Sequence, residues 1–212
     1  MAAHGSKRSR PAELVPGTLR VISLRMDYLP GDTRMAQVLA TPEKAYVSRY
    51  ALGRDYHKLI RKRLQQLAER IQAEVGPFGF RAFVDSAPVL EKAIAEQAGL
   101  GWIGKNCLLV TPQYGSAVRI SSLLTDAPLT CDAPVTRSQC GACHACVRYC
   151  PAHALKNTLW RSGMPREDIV SVSACYKKQR EIMRKSTGID TDLCGKCFAV
   201  CTYTKQYLKQ KQ

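Results

Sequence analysis

The sequence predicts an α+β protein: an α/β-layered domain over residues 1–134, followed by a small cysteine-rich domain over residues 135–212. Segments of strand and helix period alternate between Thr18 and Leu124, and eight of the ten cysteines crowd between Cys140 and Cys201. A chain of 212 residues is long enough to bury one substantial core beside a smaller second domain.

The elements follow in order. Thr18 to Leu29 carries the branched pair Val21-Ile22 between Pro16-Gly17 and Pro30-Gly31, which reads as a strand bounded by turns. Leu59, Ile60, Leu64, Leu67, Ile71 and Val75 recur at helical spacing, so Tyr56 to Glu74 is predicted to be an amphipathic helix that Gly76-Pro77 ends. Phe80 to Val84 reads as a short strand, and Pro88 to Ala98 as a helix entered at Pro88 and stopped by Gly99. Leu108 to Val110 and Val118 to Leu124 are further strands. This alternation argues for layered helices and strands up to the cysteines.

Cys140, Cys143, Cys146 and Cys150 stand as C-x2-C-x2-C-x3-C-P, the ligand run of bacterial ferredoxins, in which three cysteines hold one 4Fe-4S cubane and the fourth reaches to another. Cys194, Cys197 and Cys201 supply a second C-x2-C-x3-C, and Cys175 can complete it. The crossover rule therefore assigns Cys140, Cys143, Cys146 and Cys201 to one cluster and Cys150, Cys175, Cys194 and Cys197 to the other. Zinc is the rival, but its four-thiolate sites pair C-x2-C knuckles and do not use a triple run followed by Cys-Pro. Thr202 stands where a second Cys-Pro is expected. Cys107, inside an apolar run, reads as an inert thiol, and Cys131 has no partner at ligand spacing.

Thiolates committed to clusters imply a reducing, cytoplasmic setting. Met1 to Arg10 has no apolar secretory core, and no run approaches the length of a membrane span. The 32 Lys and Arg against 17 Asp and Glu give a formal charge of +15, gathered in Lys7–Arg10, Lys58–Arg63, Lys177–Lys185 and Lys205–Lys211. One such patch is commonly a solvated face; four on a small protein point to a polyanion, nucleic acid above all.

Clusters move electrons without naming the acceptor, so the chemistry must lie upstream. Ser48 to His57 places Ser, Arg, Tyr, Asp and His between a loop and a helix start. Asp85 ends a strand before Ser86-Ala87-Pro88, a place where catalytic groups gather in α/β sheets, although a helix-terminal acid is an equal reading. Gly99-Leu-Gly-Trp-Ile-Gly104-Lys105-Asn106 is a glycine-rich turn with a lysine, suited to a phosphate- or amide-bearing cofactor but lacking Walker spacing.

These residues carry a resemblance. His4-Gly-Ser-Lys-Arg-Ser-Arg-Pro11, Pro16-Gly-Thr-Leu-Arg-Val-Ile-Ser23, Tyr50-Ala-Leu-Gly-Arg-Asp-Tyr-His-Lys58, Phe83-Val-Asp-Ser-Ala-Pro-Val-Leu-Glu91 and Ala98-Gly-Leu-Gly-Trp-Ile-Gly-Lys105 closely resemble the epoxyqueuosine reductase family over about residues 3 to 155. The resemblance implies a cobalamin-binding catalytic domain and a ferredoxin-like domain with two 4Fe-4S clusters. Electrons would pass through the clusters to cobalamin, reducing the epoxide of epoxyqueuosine in tRNA to queuosine. Asp85 matches the family's proton donor; Ser48, His57, Asp85, Lys92 and Lys105 become the expected cobalamin or substrate contacts. Lys92 stands where the family usually has arginine, which keeps charge and loses the planar fork. The implied partners are the tRNA, through a queuosine-type anticodon loop, and an external low-potential electron donor. No membrane is involved, and the chain is expected to act as a monomer. Against the family pattern it lacks an N-terminal segment and a C-terminal helical-repeat domain, and residues 156–212 depart from the family between their cysteines. Two alternatives stay open: a 2(4Fe-4S) electron carrier docking an acidic redox partner, and a corrinoid-dependent reductase of a small molecule.

Overall fold

The computed structural model describes residues 2–30, 34–41, 43–85 and 88–211. Its strands are β1 (Arg20–Asp27), β2 (Phe80–Val84), β3 (Trp102–Ile103), β4 (Leu109–Val110) and β5 (Val118–Thr125). The chain divides into two compact units, each assembled from three stretches: Met1–Met26, Arg54–Leu100 and Arg119–Val135 in the first, and Asp27–Gly53, Gly101–Val118 and Thr136–Gln212 in the second. The division expected from the sequence, 1–134 and 135–212, is linear, whereas these units are each built from separate stretches. A break does fall beside Val135, but two earlier stretches group with the cysteine-rich one, because Leu29, Met35, Tyr46 and Ala117 share a buried cluster with Phe198, Ala199 and Tyr207.

The first unit is a three-stranded sheet of order β1-β5-β2 with helices against it. β2 and β5 run antiparallel, Phe83 opposite Ser122 and Val84 opposite Ser121. Alternation along a strand sends neighbours to opposite faces. Val84 and Leu123 accordingly bury against Ile60, Leu64 and Ala68, while Phe83 and Leu124 pack with Val89 and Ile94. Ile60, Leu64 and Ala68 lie four apart on the helix Tyr56–Val75, which is why one face of that 20-residue helix is apolar. Asp55 caps its start by accepting the His57 N–H at 2.9 Å, and Gly76, at φ 94°, ends it. The helix expected from Pro88 occupies Glu91–Gln97. Ser86 and Ala87, and Gly31 of an expected bounding turn, lie outside the described residues.

In the second unit β3 and β4 form a hairpin, Trp102 opposite Val110. Glycine is required at its entry, since a Cβ on Gly101 would stand 2.2 Å from the Val110 carbonyl oxygen. The cysteine loops fold around single helical turns, Ala145–Arg148 and Lys196–Ala199, and Cys150, Ala154, Leu155 and Val170 form a small core between them and the helix Val172–Thr187. Among the described residues no helix is long and apolar enough to cross a membrane.

Candidate functional site

Each unit presents one constellation. In the first, Asp85 follows the last residue of β2 with φ at 56°, a left-handed conformation that costs energy for a residue with a Cβ. Its pairing partner is antiparallel, so the rule for parallel strand ends does not by itself locate it; its neighbours do. The Tyr56 hydroxyl donates to Asp85 Oδ2, and His57 Nε2 stands 3.3 Å from the same oxygen. The other ring nitrogen, Nδ1, lies 2.9 Å from Asp55 Oδ1. Because a carboxylate only accepts, Nδ1 carries a proton, which leaves Nε2 facing Asp85 Oδ2. The hydrogen bonds from the His57 ring and backbone hold the Asp55 carboxyl below its usual range. Tyr56 stacks on the His57 ring at 4.0 Å and lies under the Arg119 guanidinium at 3.4 Å, so a cation braces the pair from β5.

The Asp85 side chain is 61% exposed, so the protein does not itself enclose it. Glu91 contrasts with it. Burial pushes its carboxyl up to about 7, opposed by the Asp85 backbone N–H and reinforced by the Asp85 charge, and Oε1 is buried with no hydrogen-bond partner among the described residues. Glu91 therefore anchors the Asp85 backbone, a role that sequence reasoning did not assign; only its place six residues on hinted at it. Lys92 is half-buried on the same short helix.

Ser48 and Lys105 belong to the second unit. Ser48 is fully buried, with the loop at Gly195 packed against its hydroxyl, so it does not front an open pocket. Lys105 is also buried, and its ammonium donates to the carbonyls of Gly141 at 2.9 Å and Cys143 at 3.0 Å. The lysine of the glycine-rich turn thereby fixes the first cysteine loop, and Gly104 lies close beneath: a Cβ there would come within 3.6 Å of Cys140 Sγ.

Cys140, Cys143, Cys146 and Cys201 line one small cavity of about 30 Å³ with Lys105, Thr202 and Tyr203. Burial, then the charges of Cys201, Cys140 and Cys143, push the Cys146 thiol up to about 11. Burial and the charges of Cys150 and Cys194 push up Cys175, and Cys197 is raised by burial and foremost by Cys194 and Cys175. Crowded thiols that oppose one another's ionisation are what a cation-rich cluster would relieve, so the donor sets fit two cubanes. Among the described residues no group of His, Cys, Asp or Glu converges as the ligands of a single metal ion would.

Several donors reach the sulfurs. Trp102 Nε1–H donates to Cys140 Sγ at 3.3 Å, Ala154 N–H to Cys150 Sγ at 3.4 Å, and Gln179 Nε2 to Cys175 Sγ at 3.7 Å. Thr202, the departure from Cys-Pro, lies 3.5 Å through Oγ1 from Cys143 Sγ, and that contact, with the Ala145 N–H, lowers the Cys143 thiol. Cys107 is half-buried beside the Cys150 core at φ 60°, and Cys131 is exposed.

Some charges of two basic patches are answered within the chain. Arg180 and Arg184 pair with Asp190, Lys178 with Glu181, and Lys211 with Asp27. Lys58, Arg61, Lys62 and Arg63 remain exposed on the first turns of the helix that carries Tyr56 and His57.

Known proteins resemble this chain closely. The family model described as epoxyqueuosine reductase QueG, DUF1730, matches residues 8–86. An epoxyqueuosine reductase of Pseudomonas aeruginosa is 79% identical over 154 residues, covering 73% of this chain and 43% of that protein. One from Xanthomonas campestris pv. campestris is 59% identical over 156 residues, covering 73% and 44%. The chain thus spans less than half the length of these relatives. Among solved structures, a selenomethionine-labelled epoxyqueuosine reductase superposes with a TM-score of 0.70 at 26% identity, covering 94% of this chain and 52% of that one. An epoxyqueuosine reductase with an epoxyqueuosine-modified tRNA-Tyr stem loop gives 0.68 at 25%, covering 92% and 51%. The Bacillus subtilis enzyme with its catalytic aspartate loop swung out of the active site gives 0.71 at 25%, covering 94% and 52%.

Proposed function

We propose that the protein is an epoxyqueuosine reductase that reduces the epoxide of epoxyqueuosine in tRNA, with Asp85 as proton donor, on the strength of the similarity of residues 8–86 to that family's model and of 154 residues to a relative. The observation that supports this most is the Asp85 carboxyl, held at the end of β2 by Tyr56 and by the Asp55-tethered His57. A carboxyl beside a solvent-reached imidazole can give up a proton and be reprotonated from water through the ring. A solved relative is described with its aspartate catalytic loop swung out of the active site, and Asp85 of this chain follows a strand in a strained conformation.

Two 4Fe-4S clusters, on Cys140, Cys143, Cys146 and Cys201 and on Cys150, Cys175, Cys194 and Cys197, together with cobalamin, would supply the electrons and the reducing cobalt. The chain's own residues do the rest. Opening an epoxide to an alkene consumes two electrons and two protons and releases water, so an acid must meet the departing oxygen. Asp85 gives the first proton from Oδ2. His57, fixed in tautomer by Asp55 and partly open to water, relays the second proton from solvent through Nε2 to the same Asp85 oxygen, and Tyr56 keeps the carboxyl aimed. His57, Lys92 and Asp85 are the first unit's candidates for cobalamin or substrate contact; in the second, Lys105 and Ser48 act on the cysteine loops. The exposed Lys58, Arg61 and Lys62 would meet tRNA phosphates. A low-potential donor, a cytoplasmic setting and a monomeric state complete the proposal.

Incubation of the anaerobically reconstituted chain with cobalamin, a strong reductant and epoxyqueuosine tRNA tests it. Queuosine tRNA is expected; its absence from a protein carrying both clusters and cobalamin would favour the electron-carrier reading, which the gathering of all eight ligand thiols in one unit supports.

A further inference from the structure

Two buried hydroxyls on one short segment, Tyr46 OH and Ser48 Oγ, have no hydrogen-bond partner among the described residues. Tyr46 is 9% exposed and Ser48 not at all. Burying a hydroxyl without an acceptor is costly, and folded proteins rarely leave one so. Two within three positions call for a shared explanation.

Both border the second cysteine loop. The Ser48 N–H donates to the Leu193 carbonyl at 2.8 Å, tying the segment to the residue before Cys194. Gly195, at φ 57°, lies so close that a Cβ on it would stand 2.2 Å from Ser48 Oγ. Tyr46 packs in the core that contains Phe198 and Ala199. Burial, with the charges of Cys194 and Cys197, pushes its phenol up, which keeps it a hydrogen-bond donor. The loop's own thiols accept from neither hydroxyl, so two buried donors that border this loop lack an acceptor among the described residues.

We infer that Tyr46 and Ser48 donate hydrogen bonds to sulfurs of the cluster held by Cys150, Cys175, Cys194 and Cys197 and thereby raise its reduction potential. The inference rests on the two-cluster reading and deepens it. Reduction adds negative charge that spreads onto the sulfurs, and a donor aimed at them stabilises the reduced state more than the oxidised one. Both are positioning and tuning residues: neither touches the tRNA or the reacting epoxide in this assignment. Ser48 leaves the set of cobalamin contacts and joins the electron path.

The test is a potentiometric titration, followed by electron paramagnetic resonance, of the anaerobically reconstituted full chain and its Tyr46→Phe, Ser48→Ala and double variants. Each substitution removes one oxygen and no charge. With about eight irons per chain retained, one of the two reduction waves is expected to move to more negative potential in each single variant and further in the double. The other wave is expected to stay, and Cys150→Ser, which loses one cluster, identifies which is which. Waves unmoved in the double variant, or both moving together, would overturn the inference; a buried water serving both hydroxyls gives the former result. Should a variant fail to load, pulsed resonance in D2O on the wild type and on the variant that does load decides instead: the Ala154 and Gln179 N–H groups contribute deuterons in both, so a coupling lost in the variant supports the inference, and an unchanged pattern refutes it. A wild type with far fewer irons would strike at the two-cluster reading, so the two failures are distinguishable.

Discussion

His57 Nε2 stands 3.3 Å from Asp85 Oδ2 while Asp55 Oδ1 holds the opposite ring nitrogen at 2.9 Å. The three residues form one proton path ending at an exposed carboxyl. Asp85→Asn keeps the size and the Tyr56 contact but has no proton to give, so single-turnover epoxide reduction should fall about 10²- to 10⁴-fold with cluster and cobalamin content unchanged. If Asp85 is only a helix-terminal acid, the loss will appear in melting temperature and turnover per folded molecule will stay near wild type.

Glu91 makes the fold itself pH-sensitive. Its carboxyl titrates near 4.5 when unfolded and about 7 when folded, so the folded state binds the extra proton between those values. Stability is therefore full below 4.5 and is lost as pH rises through 7, by up to about 3 kcal/mol. Glu91→Gln removes this titration and should make the protein more stable than wild type at pH 8 while matching it near pH 4.5. Denaturant unfolding at the two pH values measures the difference; parallel curves would contradict it.

The two cysteine sets make a paired prediction. Cys201→Ser should leave about half the iron and abolish the cluster on Cys140, Cys143 and Cys146, whereas Cys150→Ser should abolish the other. Magnetic resonance of the two half-loaded proteins should give different signals, since Trp102 and Thr202 flank only the first set. Identical signals would break the crossover.

Charge on the helix Tyr56–Val75 should matter for tRNA more than charge on Val172–Thr187. Neutralising Lys58, Arg61 and Lys62 together should lower the slope of log affinity against log salt by about 2. Neutralising Arg180 and Arg184 should change that slope little, because Asp190 already answers both. Equal effects would mean that diffuse charge alone drives binding.

Much of this was legible before any coordinates. The helix expected over Tyr56 to Glu74 is found at Tyr56–Val75, and the strand Phe80–Val84 is found as expected, because long apolar periodicity and flanking glycines leave little choice. The eight cysteines announced themselves by spacing. The interleaving of the two units was not legible: Leu29, Tyr46 and Ala117 look like any buried residues, and nothing local says that their partners are Phe198 and Tyr207. β3 is too short for any period to reveal. At Lys177–Lys185 composition misled, since Asp190, which pairs Arg180 and Arg184, lies beyond the patch. Asp85 could be suspected from its place, but Tyr56 and His57 reach it across 29 and 28 positions, a meeting that only the packed sheet decides.

The bonds from Tyr207 and Lys211 to Asp27 join residues 180 and 184 positions apart. On the ribosome, the first unit's last stretch ends at Val135, so its sheet can close while synthesis continues. The second cannot. Tyr28 and Leu29 must wait, apolar and uncovered, until Phe198 and Tyr207 emerge, and all that time the thiols from Cys140 onward stand open to oxidants. The interval is set by translation speed, and it falls on the part of the molecule least able to tolerate air. Slowing synthesis near the second cysteine loop, or growing cells in oxygen, should thus cost yield of intact second unit well before it costs the first.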